Sequence, residues 1–322
     1  MRDVCVIGGS RYFGRHVVEL LREAGAAVTV VNRGSAPAPE GVTHLVADRD
    51  DERQLRAALG SRTFDVVIDQ ICYTPGQAAV AREVFGGRTG RYVMTSTMEV
   101  YDPATIPAAF QATATATAAA TGAPVTEELL DPVGRPAPGV PVGTDEATAY
   151  AEGKRQAESV LLTDPVFPST VVRTAHVLGG GRAEFTGRLA HYVDRISAGQ
   201  PVLAHREAYP TTFVHHREIA EFLHWTARAS FTGPVNACSH GTLTVTDLGE
   251  LVGDRTGRRP RYELVERGLA ASPFSYDRPY PMDNGRATRL GFAFRKVADW
   301  LPEAIDEVLA GHLAGHRDGG AR

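Results

Sequence analysis

Short, β-branched apolar runs alternate with amphipathic stretches through the first half of the chain. Residues 4–7, 27–31, 43–46, 65–69 and 91–95 have the length and composition of strands buried on both faces. Residues 14–24 and 77–85 carry apolar positions at helical spacing and are long enough to cross over between strands. This order predicts an α/β fold with a doubly wound parallel sheet and right-handed crossovers. The rhythm resumes with a helix at 147–162 and a strand at 169–175. Beyond residues 179–181 it becomes mixed, with helices expected near 185–198, 217–227 and 246–253. We therefore divide the chain into a nucleotide-binding domain, 1–180, and a smaller mixed α/β substrate-binding lobe, 181–322. A strand at 234–238 is expected to return to the first sheet. Residues 103–126 carry no charge and are dominated by Ala and Thr, which reads as a surface insertion or a lid over the site.

Composition narrows the class of protein. The 322 residues are 43% hydrophobic and 22% charged, as in an ordinary globular protein, and suffice for a full core. With 38 acidic against 34 basic side chains the net charge is −4, and no basic block suggests a nucleic-acid partner. Cys5, Cys72 and Cys238 are odd in number and far apart, which argues against a disulfide framework or a metal site. No signal-peptide core or membrane-length apolar stretch occurs, so a cytoplasmic location and no membrane partner are expected.

The first strand runs into Gly8-Gly9-Ser10-Arg11-Tyr12-Phe13-Gly14 and then a helix. Glycines at that junction permit a tight turn and let backbone N–H groups approach a pyrophosphate at the helix start, as in a Rossmann-type dinucleotide site. The second strand ends at Asn32-Arg33. An acid there would bind the ribose 2′-hydroxyl, whereas Arg33 and Arg11 suit a 2′-phosphate, so NADP is the expected cofactor and NAD the close alternative. Asp48 is a candidate acceptor for the adenine amino group. Thr95 and Lys154 are candidates to border the nicotinamide end.

Tyr150 and Lys154 are four residues apart, hence on one helix face. A neighbouring ammonium and an oxidised nicotinamide ring are expected to favour the phenolate and lower the phenol's pKa toward that of a usable base. Strand alternation through residues 95–101 would set Thr97 and Glu99 on one side, at the sheet edge where ligands bind. Thr97 is then placed to bond a reacting oxygen, and Glu99 to act as a second base.

Together these segments resemble the extended short-chain dehydrogenase/reductases, the NAD-dependent epimerase/dehydratase family, as an atypical member. The resemblance spans nearly the whole chain. Gly8–Gly14 is similar to the family's GxxGxxG loop with Arg11 at the middle glycine. Residues 171–180 resemble its sixth strand, 212–215 the strand before a late helix, and 284–292 its C-terminal leucine-glycine-aromatic signature. The resemblance implies Thr97, Tyr150 and Lys154 as catalytic. The run 96–101 is similar to the Ser-Thr-Asp-Glu-Val-Tyr segment of nucleotide-sugar 4,6-dehydratases. In those enzymes the Glu takes a proton beside a transient ketone, and the Asp protonates the departing hydroxyl. Here that Asp is Met98. The family's Asn in the sixth-strand motif is His176, and an Arg that often holds substrate diphosphate is Thr211. Met98, Glu99 and His176 are thus the expected substrate contacts.

The expected function is an NAD(P)-dependent sugar epimerase or dehydratase acting through a transient ketone on a sugar or nucleotide sugar. A homodimer is implied, paired through the helices at 77–85 and 147–162. The alternatives are an NADPH-dependent ketoreductase of specialised metabolism and, third, a non-catalytic nucleotide-sensing or RNA-binding protein.

Overall fold

The computed structural model describes residues 1–102, 104–106, 123–279 and 281–318, with side chains to residue 311. Most of the uncharged run 103–126, expected as an insertion or lid, lies outside the described residues. The strands are β1 (Asp3–Ile7), β2 (Ala27–Asn32), β3 (Thr43–Val46), β4 (Val66–Asp69), β5 (Tyr92–Thr97), β6 (Ser169–Thr174), β7 (His176–Leu178), β8 (Val202–His205), β9 (Phe213–His215), β10 (Gly233–Ala237) and β11 (Tyr262–Val265). The helices are α1 (Tyr12–Glu23), α2 (Glu52–Leu59), α3 (Pro75–Phe85), α4 (Glu146–Leu162), α5 (Arg188–Ser197), α6 (His216–Arg228), α7 (Val245–Thr256), α8 (Gly285–Arg289) and α9 (Val297–Asp318).

Seven strands form one parallel sheet in the order β10-β6-β5-β4-β1-β2-β3. Alternation explains how it is buried: Val4 and Val6 join the apolar core on one face, while Cys5 and Ile7 join the core on the other. A third core, containing Leu189, Tyr192, Trp300 and Ile305, lies in the C-terminal lobe. There β7 pairs with β9 and β8 with β11, all parallel. All three cysteines are buried free thiols. Among the described residues no helix is long and apolar enough to cross a membrane.

The register brings functional positions together. Ile7 is level with Val31 and Asp69, and Thr97 with Thr174, so the strands' carboxyl ends share one edge. The strand order reverses between β1 and β4, the switch point at which open α/β sheets bind ligands. Helix α4 is fixed over β5 and β6 by a buried ion pair. The Arg173 guanidinium on β6 donates to Glu158 on α4 at 2.6 Å, and both side chains are fully buried. Arg173 also donates to the Tyr101 hydroxyl at 2.7 Å and the Leu130 carbonyl at 2.9 Å, while Ser96 donates to Glu158 at 2.5 Å.

Helix α2 has no counterpart in the sequence expectation, because only Leu55 and Leu59 of its eight residues are buried. Strand β5 stops at Thr97 instead of continuing through residue 101, and the chain enters a 3-10 turn over Met98–Tyr101.

Candidate active site

Gly8 and Gly9 leave β1 with φ of +95° and +79°, a region favourable only to glycine. A Cβ on Gly9 would lie 2.8 Å from Val6 Cγ1, and one on Gly14 would lie 2.2 Å from Gln70 Oε1. A Cβ on Gly14 would also lie 3.1 Å from Gly9 Cα, so the loop backbone packs against the start of α1. That helix has no side-chain cap and no acid in its first turn, so its leading N–H groups are left for an anionic ligand. A cavity of about 320 Å³ opens over the loop, lined by Gly8–Gly14, Asn32, Arg33, Arg49, Gln70, Tyr73 and Phe185 among others.

Asn32 is committed within this wall. Its amide donates to Ser10 Oγ at 2.7 Å, and its oxygen accepts the Gly34 N–H at 2.7 Å. Arg11 and Arg33 line the cavity and are exposed. Asp48 is not part of the lining, because its carboxylate turns back to accept the Asp50 N–H at 3.0 Å. The neighbouring Arg49 takes the wall position and is 4% exposed. Its guanidinium pairs with Asp69, which also accepts the Tyr92 hydroxyl at 2.5 Å.

A second cavity, about 430 Å³, shares Tyr12, Phe13, Gln70, Tyr73 and Phe185 with the first, so the two form one continuous cleft. Thr95, Thr97, Glu99, Tyr150, Lys154 and His176 all line it. The 3-10 turn explains how Thr97 and Glu99 both reach the cavity although β5 ends between them. Thr97 Oγ1 accepts the Glu99 N–H at 3.2 Å, which leaves the hydroxyl proton available to the cavity. The same turn sends Met98 the other way, into the apolar core at 1% exposure, so it does not border the cavity as expected.

Lys154 is 2% exposed and donates to the Thr95 carbonyl at 2.7 Å. Its Nζ stands 4.5 Å from the Tyr73 ring centre and 5.9 Å from that of Tyr150. Burial lowers the Lys154 pKa to about 8, although Cys72 and Asp69 pull it back up. Tyr150 shifts upward instead. Burial raises its phenol to about 12, with the Thr97 hydroxyl pulling it down and Tyr73 and Glu99 pushing it further up. Lys154 bonds the Thr95 carbonyl rather than the phenol.

His176 is 4% exposed, and burial together with Arg188 holds it well below the usual histidine range, hence neutral. Arg188 can only donate, so His176 Nδ1 accepts from it at 3.4 Å and Nε2–H donates to the Tyr276 hydroxyl at 2.8 Å. Thr211, by contrast, is buried at 1% and lies outside the cavity. Sequence reasoning missed Gln70, Tyr73, Phe185 and Arg188. Gln70 and Tyr73 follow the end of β4, where the rule that ligands bind at strand carboxyl ends would have pointed. Phe185 and Arg188 reach over from the second lobe, and nothing in their local sequence marks them.

A parallel sheet with a glycine loop at its switch point and a Tyr/Lys/Thr group beside it defines a nicotinamide-dependent enzyme of the short-chain dehydrogenase/reductase class. A sequence model of the NAD dependent epimerase/dehydratase family matches residues 4–237, and the chain belongs to that family. No curated protein matches the sequence. Among solved structures, the UDP-glucose 4-epimerase of Thermotoga maritima with UDP-glucose is 18% identical, with a TM-score of 0.71 over 97% of this chain and 99% of that one. The Thermus thermophilus UDP-glucose 4-epimerase in complex with NAD is 18% identical, TM-score 0.64, over 95% and 98%. The UDP-N-acetylglucosamine 4-epimerase of Bacillus cereus is 16% identical, TM-score 0.62, over 96% and 95%. At these identities the likeness is one of fold.

Proposed function

We propose that this protein is an NAD(P)-dependent epimerase of nucleotide sugars that works through a transient ketone. The observation that carries the reading is the convergence of Thr97, Glu99, Tyr150, Lys154 and His176 on a cavity continuous with the glycine-loop cleft. The cleft fits a dinucleotide: glycines stand where side chains would clash, uncapped N–H groups face the pyrophosphate position, and Arg11 and Arg33 flank the adenosine end. A nicotinamide held there supplies a hydride acceptor and donor.

The chain's own residues handle protons and charge. Tyr150 takes the proton of a substrate hydroxyl and returns it at the end of the cycle. Thr97 donates its hydroxyl proton to the same oxygen, its lone pair being held by the Glu99 N–H. Protonated Lys154, its Nζ 5.9 Å from the Tyr150 ring centre, favours the phenolate. Glu99 takes a proton from the carbon beside the ketone to give an enolate, and solvent returns a proton to the opposite face before hydride comes back to the carbonyl carbon. Arg188, from the second lobe, offers the positive charge that a substrate phosphate needs, a part that Thr211 cannot play. Met98 is in the core and carries no proton, so no group at that position can expel a hydroxyl, which favours epimerisation over dehydration.

The UDP-hexose epimerases of similar fold motivate the substrate class. The Thermus relative holds NAD; here Arg33 and Arg11 support NADP as the preferred partner. The reading includes a nucleotide-binding unit over 1–180 with β10, a substrate lobe over 181–322, and a cytoplasmic homodimer joined through α3 and α4. The test is turnover of nucleotide sugars in deuterated water. Carbon-bound deuterium should appear in wild type and vanish in Glu99→Gln, with hydride transfer retained. A ketoreductase would instead consume the dinucleotide one for one.

A further inference from the structure

His215 closes β9 and His216 opens α6, so two imidazoles leave the chain from consecutive residues at a strand-to-helix junction. Glu307 reaches the same place from α9. The ligand atoms of the three residues lie within 4.8 Å of one another. Both histidines are 3% exposed. His216 Nδ1 and Nε2 and His215 Nε2 have no hydrogen-bond partner. A neutral imidazole carries one donor and one acceptor, and leaving such a buried group unsatisfied is costly. Buried polar atoms of native proteins find a partner, whether protein, water or ion.

The surroundings point to an ion. Glu307 Oε2 accepts the Gly180 N–H at 2.6 Å, which aims a carboxylate at the two rings. Gly179 and Gly180, at φ of +91° and +85°, close over them, and a Cβ on Gly179 would lie 2.7 Å from His215 Nε2. Arg295 beside His215 is paired with Glu218, while Arg217 adds positive charge near both rings.

We propose that His215, His216 and Glu307 bind one divalent transition-metal ion of the zinc class. Two imidazole nitrogens and a carboxylate suit zinc or cobalt, whereas magnesium and calcium prefer oxygen ligands. Ligands at about 2.1 Å from a tetrahedral ion stand about 3.4 Å apart, so the three side chains draw together on binding. A cation on His215 Nε2 requires the ring proton on Nδ1. Arg295 therefore gives up its 3.1 Å contact there and stays on Glu218. The ion would tie α9 to the 179–181 turn. Gly179 in that turn accepts the Tyr12 hydroxyl at 2.9 Å, and Tyr12 lines both cavities, so the metal steadies the wall of the cofactor cleft.

The test uses the full-length, tag-free protein, stripped with a chelator and titrated with cobalt(II), followed by calorimetry and visible absorption. One cobalt per chain is expected, with the intense d–d bands of a four- or five-coordinate site, displaced by zinc(II). His216→Asn and Glu307→Gln should each weaken binding about tenfold or more. Glu307→Gln keeps the side chain's size, so it decides the matter should His216→Asn fail to fold. No stoichiometric binding would overturn the proposal. Equal affinity in wild type and Glu307→Gln would overturn it too, assigning the ion to other histidines such as His16 or His44.

Discussion

Glu158→Gln tests whether the buried ion pair beneath α4 holds the reactive face in place. Glu158 lies one turn beyond Lys154 on that helix and is fully buried against Arg173 on β6. The substitution keeps the size and the capacity to accept hydrogen bonds but removes the charge. Arg173 retains the Tyr101 hydroxyl and the Glu127 and Leu130 carbonyls as acceptors, yet remains a buried cation with no counter-ion. Breaking one side of such a pair costs about 3–5 kcal/mol, and the surviving acceptors put this case near about 3. Arg173→Met should cost a similar amount, because Glu158 would keep only Ser96 as a side-chain donor. Replacing both together should cost less than the two singles combined, since no uncompensated charge remains. Urea unfolding of the four proteins measures each value and the coupling between them. The reasoning fails if Glu158→Gln stays within about 1 kcal/mol of wild type, or if the two single effects simply add.

Arg33→Glu should weaken NADP selectively, by the roughly 1.5–3 kcal/mol of one charge-assisted phosphate contact; equal weakening of NAD and NADP by titration would remove Arg33 from cofactor choice. Phe185 is 74% exposed and borders both cavities, with its ring edge-on to Tyr12 at 6.1 Å, so a bound dinucleotide should cover it. Phe185→Ala should then cost about 1 kcal/mol of cofactor affinity, roughly fivefold, while leaving the ligand-free melting temperature unchanged. An unaltered Kd would place Phe185 outside the bound complex. Lys154 supplies a pH test: its folded pKa of about 8 lies below the ordinary 10.5, so between those values the unfolded chain binds more protons than the folded one. Stability from this group therefore rises with pH across that window, by about 3 kcal/mol in all. Denaturant titrations should show the rise in wild type and its loss in Lys154→Met, and identical pH profiles would contradict the burial argument.

The strands of the main sheet were legible because runs such as Val4–Ile7 are apolar at every position, as a strand between two apolar cores must be. The glycine loop was legible because its place after the first strand restricts what it can do. Tyr150 and Lys154 were readable from helical spacing, and their nearness to Thr97 from the order of strands. Met98 was misplaced because alternation was carried past Thr97 into what is a 3-10 turn, and Asp48 because a local backbone contact claims its carboxylate. Arg188, Phe185 and the grouping of His215, His216 and Glu307 depend on how the second lobe closes on the first. No periodicity within either segment encodes that contact.

On the proposed function, Tyr150 drives a reversible oxidation that leaves the cofactor unchanged overall. The direct measurement incubates the protein with UDP-hexoses and a sub-stoichiometric amount of dinucleotide, follows the sugar by NMR and monitors reduced cofactor by absorbance. The account predicts an epimer formed over many turnovers per cofactor with no net change in its redox state. Tyr150→Phe should lower that rate by about 10²–10⁴-fold while binding the dinucleotide as tightly as wild type. Consumption of one reduced cofactor per product, or near wild-type turnover in Tyr150→Phe, would contradict it.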